Sequence, residues 1–255
     1  MMSNTRIWAL LKILIFATAL VWTWVTLDDV SNSASGSGIA IKHQSRSHAE
    51  ADTFISADEI RNIFVVVYVL SIMKVMLKGF GGSNALMKMM ETGENWVRWL
   101  DSFVTLPFIM LLVALFCGVE SYSSLLMIVS LTIVYTMVGT FMEFIGSKAQ
   151  IRNSRGVPLR SMSLIPPLVQ IVAILGIWYV IYLAWSNLTA PPDYINLVFY
   201  SGAVANISAF LATFMWYYGY AKAMPVGWVH EGALWIWKLV IPFLIASGLS
   251  ENEYP

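Results

Sequence analysis

The stretch that decides the fold is the last long apolar segment, WVHEGALWIWKLVIPFLIASGL, at residues 228–249. As a helix, this segment is long enough to cross the hydrocarbon core of a membrane, which takes about 20 residues for roughly 30 Å. It carries one lysine, Lys238, near its centre. Because a charged side chain is costly in lipid, the segment predicts a membrane-spanning helix whose lysine is functional or ion-paired.

Six further segments have a similar apolar length. They are residues 7–27, 60–78, 96–118, 122–145, 163–186 and 194–219. The composition agrees with a membrane protein, since 58% of the residues are hydrophobic and only 12% are charged. Unbroken apolar runs such as residues 111–115 do not alternate as the strands of a membrane barrel do. The sequence therefore predicts an all-α membrane protein, with one seven-helix domain over residues 1–255.

The charge balance and the motifs exclude two broad classes of function. The formal net charge is zero, which gives no field for attracting nucleic acid. The chain has no zinc-ligand spacing, nucleophile elbow or phosphate loop. The sequence predicts neither an enzyme nor a nucleic-acid partner.

The distribution of basic residues predicts the orientation. Most of them fall in the N-terminus and beside the loops that follow helices 2, 4 and 6: Arg6, Lys78, Lys88, Arg98, Lys148, Arg152, Arg155, Arg160 and Lys222. The opposite side has Lys42, Arg46 and Arg61. Because basic loops stay in the cytoplasm, the N-terminus is predicted inside and the C-terminus outside.

The first outer loop, residues 28–59, is too long for a simple connector. Residues 38–42 and 54–55 have strand-like composition, so they predict a small external β-hairpin. The span before this loop is longer than the apolar core of a signal peptide, so we expect it to remain as a helix.

Several ionisable residues fall within or at the ends of the spans: Lys12, Lys74, Asp101, Glu143, Glu231 and Lys238. A helical rise of about 1.5 Å per residue places Lys238 about 15 Å deep and Asp101 about 12 Å deep from the same side. The two side chains can therefore meet if helices 3 and 7 are neighbours. Lys12 can snorkel to the cytoplasmic surface, and Glu143 and Glu231 lie close enough to that surface to be solvated. Glu231 also lies seven residues before Lys238 and faces the same side of helix 7, so the alternative is that it lines a polar path from the cytoplasm.

A lysine near the middle of the membrane has two interpretations. A desolvated amine can form a Schiff base with an aldehyde, and the resulting charge then needs a nearby carboxylate. The flat side chains of Trp235 and Trp237 beside Lys238 suit a slot for a conjugated polyene. The alternative is a structural ion pair of Asp101 with Lys238 or Lys74. Spacing alone leaves both open.

The order of several motifs resembles the heliorhodopsin family. Residues 98–102, RWLDS, resemble the family pattern Arg-Trp-x-Glu-Tyr-Ser, and residues 141–143, FME, resemble its Met-Glu at the end of helix 4. Residues 190–194, APPDY, resemble the Ala-Pro-Asp-Phe before helix 6. The last span, with Lys238 and with ASG at residues 246–248, is similar to the family's lysine-bearing helix. The likeness extends over most of the chain from about residue 60.

The resemblance implies a sensory light receptor in which all-trans retinal forms a protonated Schiff base on Lys238 with Asp101 as its counterion. Further residues that it implies around the cofactor are Thr105, Trp235, Trp237, Asn206 and Pro167. Lys74, Glu231 and Glu143 are predicted to form a polar or proton-handling network. The resemblance also implies a homodimer in the plasma membrane and a cytoplasmic signalling partner.

The chain departs from the family pattern around the predicted counterion. Asp101 stands where the family usually has glutamate, and Lys74 where it commonly has histidine. The family histidine in helix 1 is missing, and Leu234 replaces a serine one turn before the retinal lysine. These changes leave proton handling open. Thr105, one turn after Asp101, is predicted to hydrogen-bond its carboxylate.

Two other functions compete with the sensory one. A light-gated proton or ion channel would use the polar residues of the cytoplasmic half, but the outer half is dry, with Asn206 among its few polar candidates. A seven-helix transporter or scaffold without retinal is the second alternative. Pro107 and the pair Pro166 and Pro167 are predicted to interrupt helices, although no matched repeat accompanies them.

Overall fold

The computed structural model describes residues 4–33, 57–80, 96–154, 163–189, 191–218, 229 and 232–251. These residues form seven helices and no strand. The first six are α1 (Asn4–Ser33), α2 (Ala57–Phe80), α3 (Trp96–Phe116), α4 (Tyr122–Ser154), α5 (Ile165–Ser186) and α6 (Asp193–Tyr217). The last helix, α7, includes a π-helical turn at Ile236–Val240 and continues as α-helix through Ile241–Glu251. The predicted β-hairpin lies outside the described residues.

Six of these helices are long and apolar enough to cross a membrane. Their spans are Ile7–Asp29, Asp58–Leu77, Tyr122–Gly146, Ile165–Ser186, Asp193–Tyr217 and Gly232–Ser250. The described apolar part of α3 is shorter, Asp101–Phe116. Both α1 and α4 extend beyond their predicted segments, because hydropathy marks only the part in lipid and a helix can continue into water.

The outer surface of the bundle is apolar. Large hydrophobic side chains are exposed on most helices, among them Ile7, Leu14, Val172, Tyr179, Val204 and Phe243. A water-soluble monomer rarely exposes an apolar surface of this extent, and lipid covers it without cost. The protein is therefore an integral membrane protein surrounded by lipid.

The helices pack as a closed ring around a shared core. Sequence neighbours pack against each other from α1 to α7, and α7 closes the ring against α1. Across the ring, α4 contacts α6, and α3 contacts both α6 and the π-helical turn of α7. Because α3 also packs against α2, side chains from α2, α3 and α7 can meet in the interior.

The π-helical turn of α7 has a cause in the sequence. Pro242 has no backbone N–H, so the carbonyl of Lys238, four residues earlier, cannot accept the usual helical hydrogen bond from it. The neighbouring Ile241 N–H instead donates to the carbonyl of Ile236, five residues earlier. Turns of this type are frequent at functional sites in helices. Lys238 therefore leaves the helix from a widened turn.

Helices α6 and α7 approach closely at Gly248. A Cβ atom added to Gly248 would overlap three ring atoms of Tyr194, including Cγ next to the backbone. Because Cγ is displaced only by a change of the χ1 rotamer or of the α6 backbone, a side chain at Gly248 would repack Tyr194 or push the two helices apart. Gly232, at the start of the same span, has nothing within 4 Å of its added Cβ.

We predict that Gly248→Ala destabilises the bundle and that Gly232→Ala does not. Overpacking of this kind costs about 1–3 kcal/mol. Thermal unfolding in detergent should show a lower midpoint for Gly248→Ala and an unchanged or slightly higher one for Gly232→Ala, since alanine favours helix. Equal midpoints for the two variants would contradict the close packing of α6 and α7.

Candidate functional site

Three helices bring charged side chains together in the interior. The Lys238 ammonium of α7 donates to Asp101 Oδ2 of α3. Lys74 Nζ of α2 lies 3.0 Å from the same oxygen atom. Lys238 Nζ also donates to Ser71 Oγ of α2, at 3.1 Å. One carboxylate oxygen thus binds two cations from different helices.

This cluster is removed from solvent. Relative exposure is 3% for Lys238, 6% for Asp101 and 9% for Lys74. A buried charge without a partner is strongly destabilising, so the two lysines and the aspartate depend on one another. The second carboxylate oxygen, Asp101 Oδ1, is buried and has no hydrogen-bond partner among the described residues. It is an acceptor that a further donor in the site would satisfy.

Ser71 is a site residue that the sequence interpretation missed. Its hydroxyl donates to the carbonyl of Val67 at 2.7 Å while it accepts from Lys238 Nζ. Ser71 lies three residues before Lys74, and residues at this spacing share one face of a helix. The three-residue spacing between Ser71 and Lys74 was the signal in the sequence that could have identified Ser71 as a site residue. Ser71 fixes the Lys238 nitrogen against the face of α2 that carries Lys74.

Thr105 differs from its predicted role. Its hydroxyl donates to the backbone carbonyl of Asp101 at 2.8 Å, not to the carboxylate. A threonine inside a helix commonly bonds the carbonyl four residues earlier, which here is the nearest acceptor. Thr105 is fully buried. It therefore supports the α3 backbone at Asp101.

The two tryptophans beside Lys238 face different neighbours. Trp237 is buried, and its Cη2 atom lies 3.5 Å from a Cβ added to Gly202 of α6. The same added atom would lie 3.0 Å from Cη2 of Trp178 in α5. Trp235 is only partly buried and packs against Phe16 of α1 with ring centroids 6.0 Å apart. Gly202 thus lies between two large flat side chains, and only Trp237 of the predicted pair faces it.

Asn206 lies one turn beyond Gly202 on α6 and is buried. Its Nδ2 is 4.0 Å from Met110 Sδ of α3, a weak acceptor. Its Oδ1 and the Nε1 of Trp178 have no hydrogen-bond partner among the described residues. An acceptor and a donor are thus held in the interior near the aromatic pair.

The remaining predicted residues lie elsewhere or outside the described part. Glu143 is buried on α4, although it was expected to be solvated. The reason is that α4 continues to Ser154 and α6 packs closely against it at Gly146, where an added Cβ would lie 3.0 Å from the Trp216 carbonyl. Glu231 is outside the described residues.

Pro167 is buried in the first turn of α5. The pair Pro166 and Pro167 occupies the first positions of this helix and begins it, where the missing N–H groups cost nothing. The expected interruption at this pair is therefore a helix start. Pro107, by contrast, lies inside α3.

A comparison with known families decides the identity of this bundle. The family model of heliorhodopsin matches residues 6–224, which is most of the chain. The chain belongs to the heliorhodopsin family. No curated protein matches the chain. The resemblance expected from the motifs is confirmed, and this heliorhodopsin is a rhodopsin-type light-sensing membrane protein that uses a retinal chromophore.

The described residues of this heliorhodopsin fit retinal. The amine of Lys238 suits an aldehyde, and Asp101 supplies a buried negative charge beside it. Because Gly202 has no side chain, the rings of Trp178 and Trp237 both lie against its backbone, and a Cβ there would come within 3.0 Å of Trp178. Asp101 Oδ1, which has no hydrogen-bond partner within the described part of the chain, can accept one more hydrogen bond. These features come from four helices, α3, α5, α6 and α7.

We predict that the buried charges of this heliorhodopsin are energetically coupled. Asp101→Ala leaves Lys74 and Lys238 without their shared carboxylate, and breaking such a buried pair costs about 3–5 kcal/mol. Its thermal unfolding midpoint should fall well below that of the wild type. Adding Lys74→Met removes one of the two stranded cations, so the double variant should regain part of the loss.

The cycle of Asp101→Ala, Lys74→Met and the double variant measures this coupling directly. Additive effects of the two substitutions would show that Lys74 and Asp101 do not interact in the folded protein.

Proposed function

We propose that this heliorhodopsin is a sensory photoreceptor that carries all-trans retinal as a protonated Schiff base on Lys238, with Asp101 as the counterion. The observation that carries the proposal is the contact of the Lys238 ammonium with Asp101 Oδ2 in the interior of a seven-helix membrane bundle. The Lys238 nitrogen would become the Schiff-base nitrogen, and its contact with Asp101 supports this carboxylate as the counterion.

Retinal, when bound, supplies the absorption of visible light and the change of shape that follows. The protein's own residues hold the positive charge and exclude water. Asp101 stabilises the charge on the Lys238 nitrogen, and Thr105 supports the backbone at Asp101. Ser71 accepts a hydrogen bond from the ammonium form of Lys238. Because all of these are buried, water reaches the nitrogen poorly and the linkage is protected from hydrolysis.

The aromatic surface that Trp178 and Trp237 form beside Gly202 is the proposed contact for the polyene. Trp237 and Trp178 would cover its two faces, and Asn206 with Met110 would lie beyond it between α6 and α3. Trp235 would support Lys238 from the side of α1 through its contact with Phe16. The buried polar atoms near Gly202, Asn206 Oδ1 and Trp178 Nε1, would then face the chromophore or water bound beside it.

The output of the receptor is proposed to be a helix movement at α7. The widened turn at Ile236–Val240 lacks the regular helical hydrogen bonds, so it changes shape more easily than the helix around it. A displacement of the Lys238 nitrogen from Asp101 would be passed to α7 at this turn. In the proposed orientation, with the N-terminus inside the plasma membrane, the basic loops face a cytoplasmic signalling partner. A homodimer is proposed from the family alone.

The described outer half of the bundle favours a sensor over a channel. With the N-terminus inside, α3 runs outward from Asp101, and its residues Leu112, Val113 and Ala114 are all fully buried. On α6 and α7 this half contributes buried Val198 and Ile245, which are also apolar. An ion that passed the Asp101 site along α3, α6 and α7 would have to cross this apolar layer, which is costly. The buried polar pair described in the outer half, Thr23 with Tyr68, lies on α1 and α2.

We predict that the protein, expressed with all-trans retinal, shows a visible band that is red-shifted from that of free retinal. Reduction of the pigment with borohydride fixes the linkage, and peptide mass spectrometry should then place the retinyl group on Lys238. Asp101→Asn should move the band to longer wavelength, because the positive charge spreads along the polyene once its counterion is removed. Asp101→Glu is the matched control and should keep a band close to that of the wild type.

A folded protein that forms no visible band would exclude the protonated Schiff base, and one that also gives no retinyl adduct after reduction would exclude covalent binding of retinal. A band whose retinyl group maps elsewhere than Lys238 in the wild type would exclude the proposed attachment site.

We predict no photocurrent in voltage-clamped cells that express the pigment, because the apolar layer on α3, α6 and α7 blocks a path for ions. A known light-gated channel in the same cell line is the positive control. A steady photocurrent that reverses with the ion gradient would favour the channel over the sensor.

A further inference from the structure

We propose that Lys74 is a second attachment site for the aldehyde of retinal. The proposal rests on the proposed retinal function and adds a second amine to the same site. It is carried by the position of Lys74 Nζ, 3.0 Å from the Asp101 oxygen that also binds Lys238.

The two amines are close to each other. Both nitrogens contact one oxygen atom, so they are separated by no more than two hydrogen-bond lengths, about 6 Å. Ser71, which accepts from Lys238 Nζ, lies three residues before Lys74 on the same helix. The Lys238 nitrogen therefore lies against the face of α2 from which Lys74 extends. An aldehyde that reaches one amine is within reach of the other.

The surroundings of Lys74 meet the same chemical requirements as those of Lys238. Its relative exposure is 9%, so a linkage formed there is shielded from water. Asp101 already contacts its nitrogen and would serve as counterion to a charge at either position. The lysine stem has four flexible carbons, which can absorb the displacement between the two attachment points.

The reaction at Lys74 balances without an oxidant or a reductant. The amine attacks the aldehyde carbon, a C–N bond forms, and the carbonyl oxygen leaves as water with two hydrogens from the nitrogen. Starting from the ammonium form, the product is the protonated Schiff base and one water molecule, with no change in total charge. Asp101 remains ionised and paired throughout.

Lys238 is the main attachment site in the wild type. It is more deeply buried than Lys74, and Ser71 and Asp101 both fix its nitrogen. It also adjoins Trp237, whose ring lies against Gly202, so a polyene on Lys238 meets this aromatic side chain directly. Lys74 becomes the principal site when the amine at Lys238 is removed.

Arginine substitutions test the second attachment site without leaving the Asp101 carboxylate unpaired. Arginine keeps the positive charge and can bind a carboxylate, but it does not form a Schiff base under these conditions. Lys238→Arg leaves only Lys74, Lys74→Arg leaves only Lys238, and the double variant leaves neither. Each protein is incubated with all-trans retinal, reduced with borohydride and mapped by peptide mass spectrometry, and a visible spectrum is recorded before reduction.

We expect Lys238→Arg to keep a visible band, shifted from that of the wild type, with the retinyl group on Lys74. We expect Lys74→Arg to carry the group on Lys238, and the double variant to lose both the band and the adduct. Lys238→Ala, which leaves the Lys74 and Asp101 pair intact, is mapped in parallel because it avoids the larger side chain.

An unmodified Lys74 in both Lys238→Arg and Lys238→Ala, beside a wild type modified on Lys238, overturns the second site and leaves the proposed function intact. A wild type and a Lys74→Arg variant that both lack an adduct on Lys238 overturn the proposed function instead. An adduct that persists in the double variant shows reaction with lysines outside the site and overturns the assignment to Lys74.

Discussion

The interior of this bundle is organised by one carboxylate that binds two ammonium groups. Asp101 on α3, Lys74 on α2 and Lys238 on α7 are each too costly to bury alone, and together they hold three helices at a fixed separation. Association of apolar helices in lipid lacks the hydrophobic driving force that operates in water. The shared carboxylate therefore contributes specificity that apolar packing in lipid cannot supply, and the proposed cofactor chemistry uses the same atoms.

The pairing of Lys238 with Asp101 was predictable because the two surfaces of a membrane define the depth of each residue in a spanning helix. The rise per residue is fixed and the helices cross between two surfaces, so counting residues from the helix ends gives depth. Two charges at one depth on neighbouring helices have few other partners. The same reasoning identified Lys74 as a competitor for Asp101, and the structure places it on the same oxygen atom.

The contact of Ser71 and the burial of Glu143 depend on how each helix is rotated about its axis and on how the helices pack. The depth of a residue in the membrane predicts neither of these. Ser71 contacts Lys238 only because α2 turns that face inward. Glu143 is buried because the end of α6 covers α4, a contact between distant segments that no local pattern reports. The family match ends at residue 224, before Lys238, so the site on α7 is supported by its contacts and not by that match.

The π-helical turn leaves a trace in the spacing of buried residues along α7. Ala233, Trp237, Ile241, Ile245 and Leu249 are all buried, every fourth residue. In a regular α-helix each such step advances about 40° beyond a full turn, so the stripe would wind away from the core. The extra residue at Ile236–Val240 offsets much of that winding. Deleting one residue there would restore a regular helix and keep the segments on either side in about the same relative orientation, because the π-helical turn already absorbs the rotation of one residue. Buried apolar residues that repeat every fourth position therefore indicate the extra residue of the π-helical turn. The same repeat can be used to locate an insertion or a deletion in this helix from the sequence.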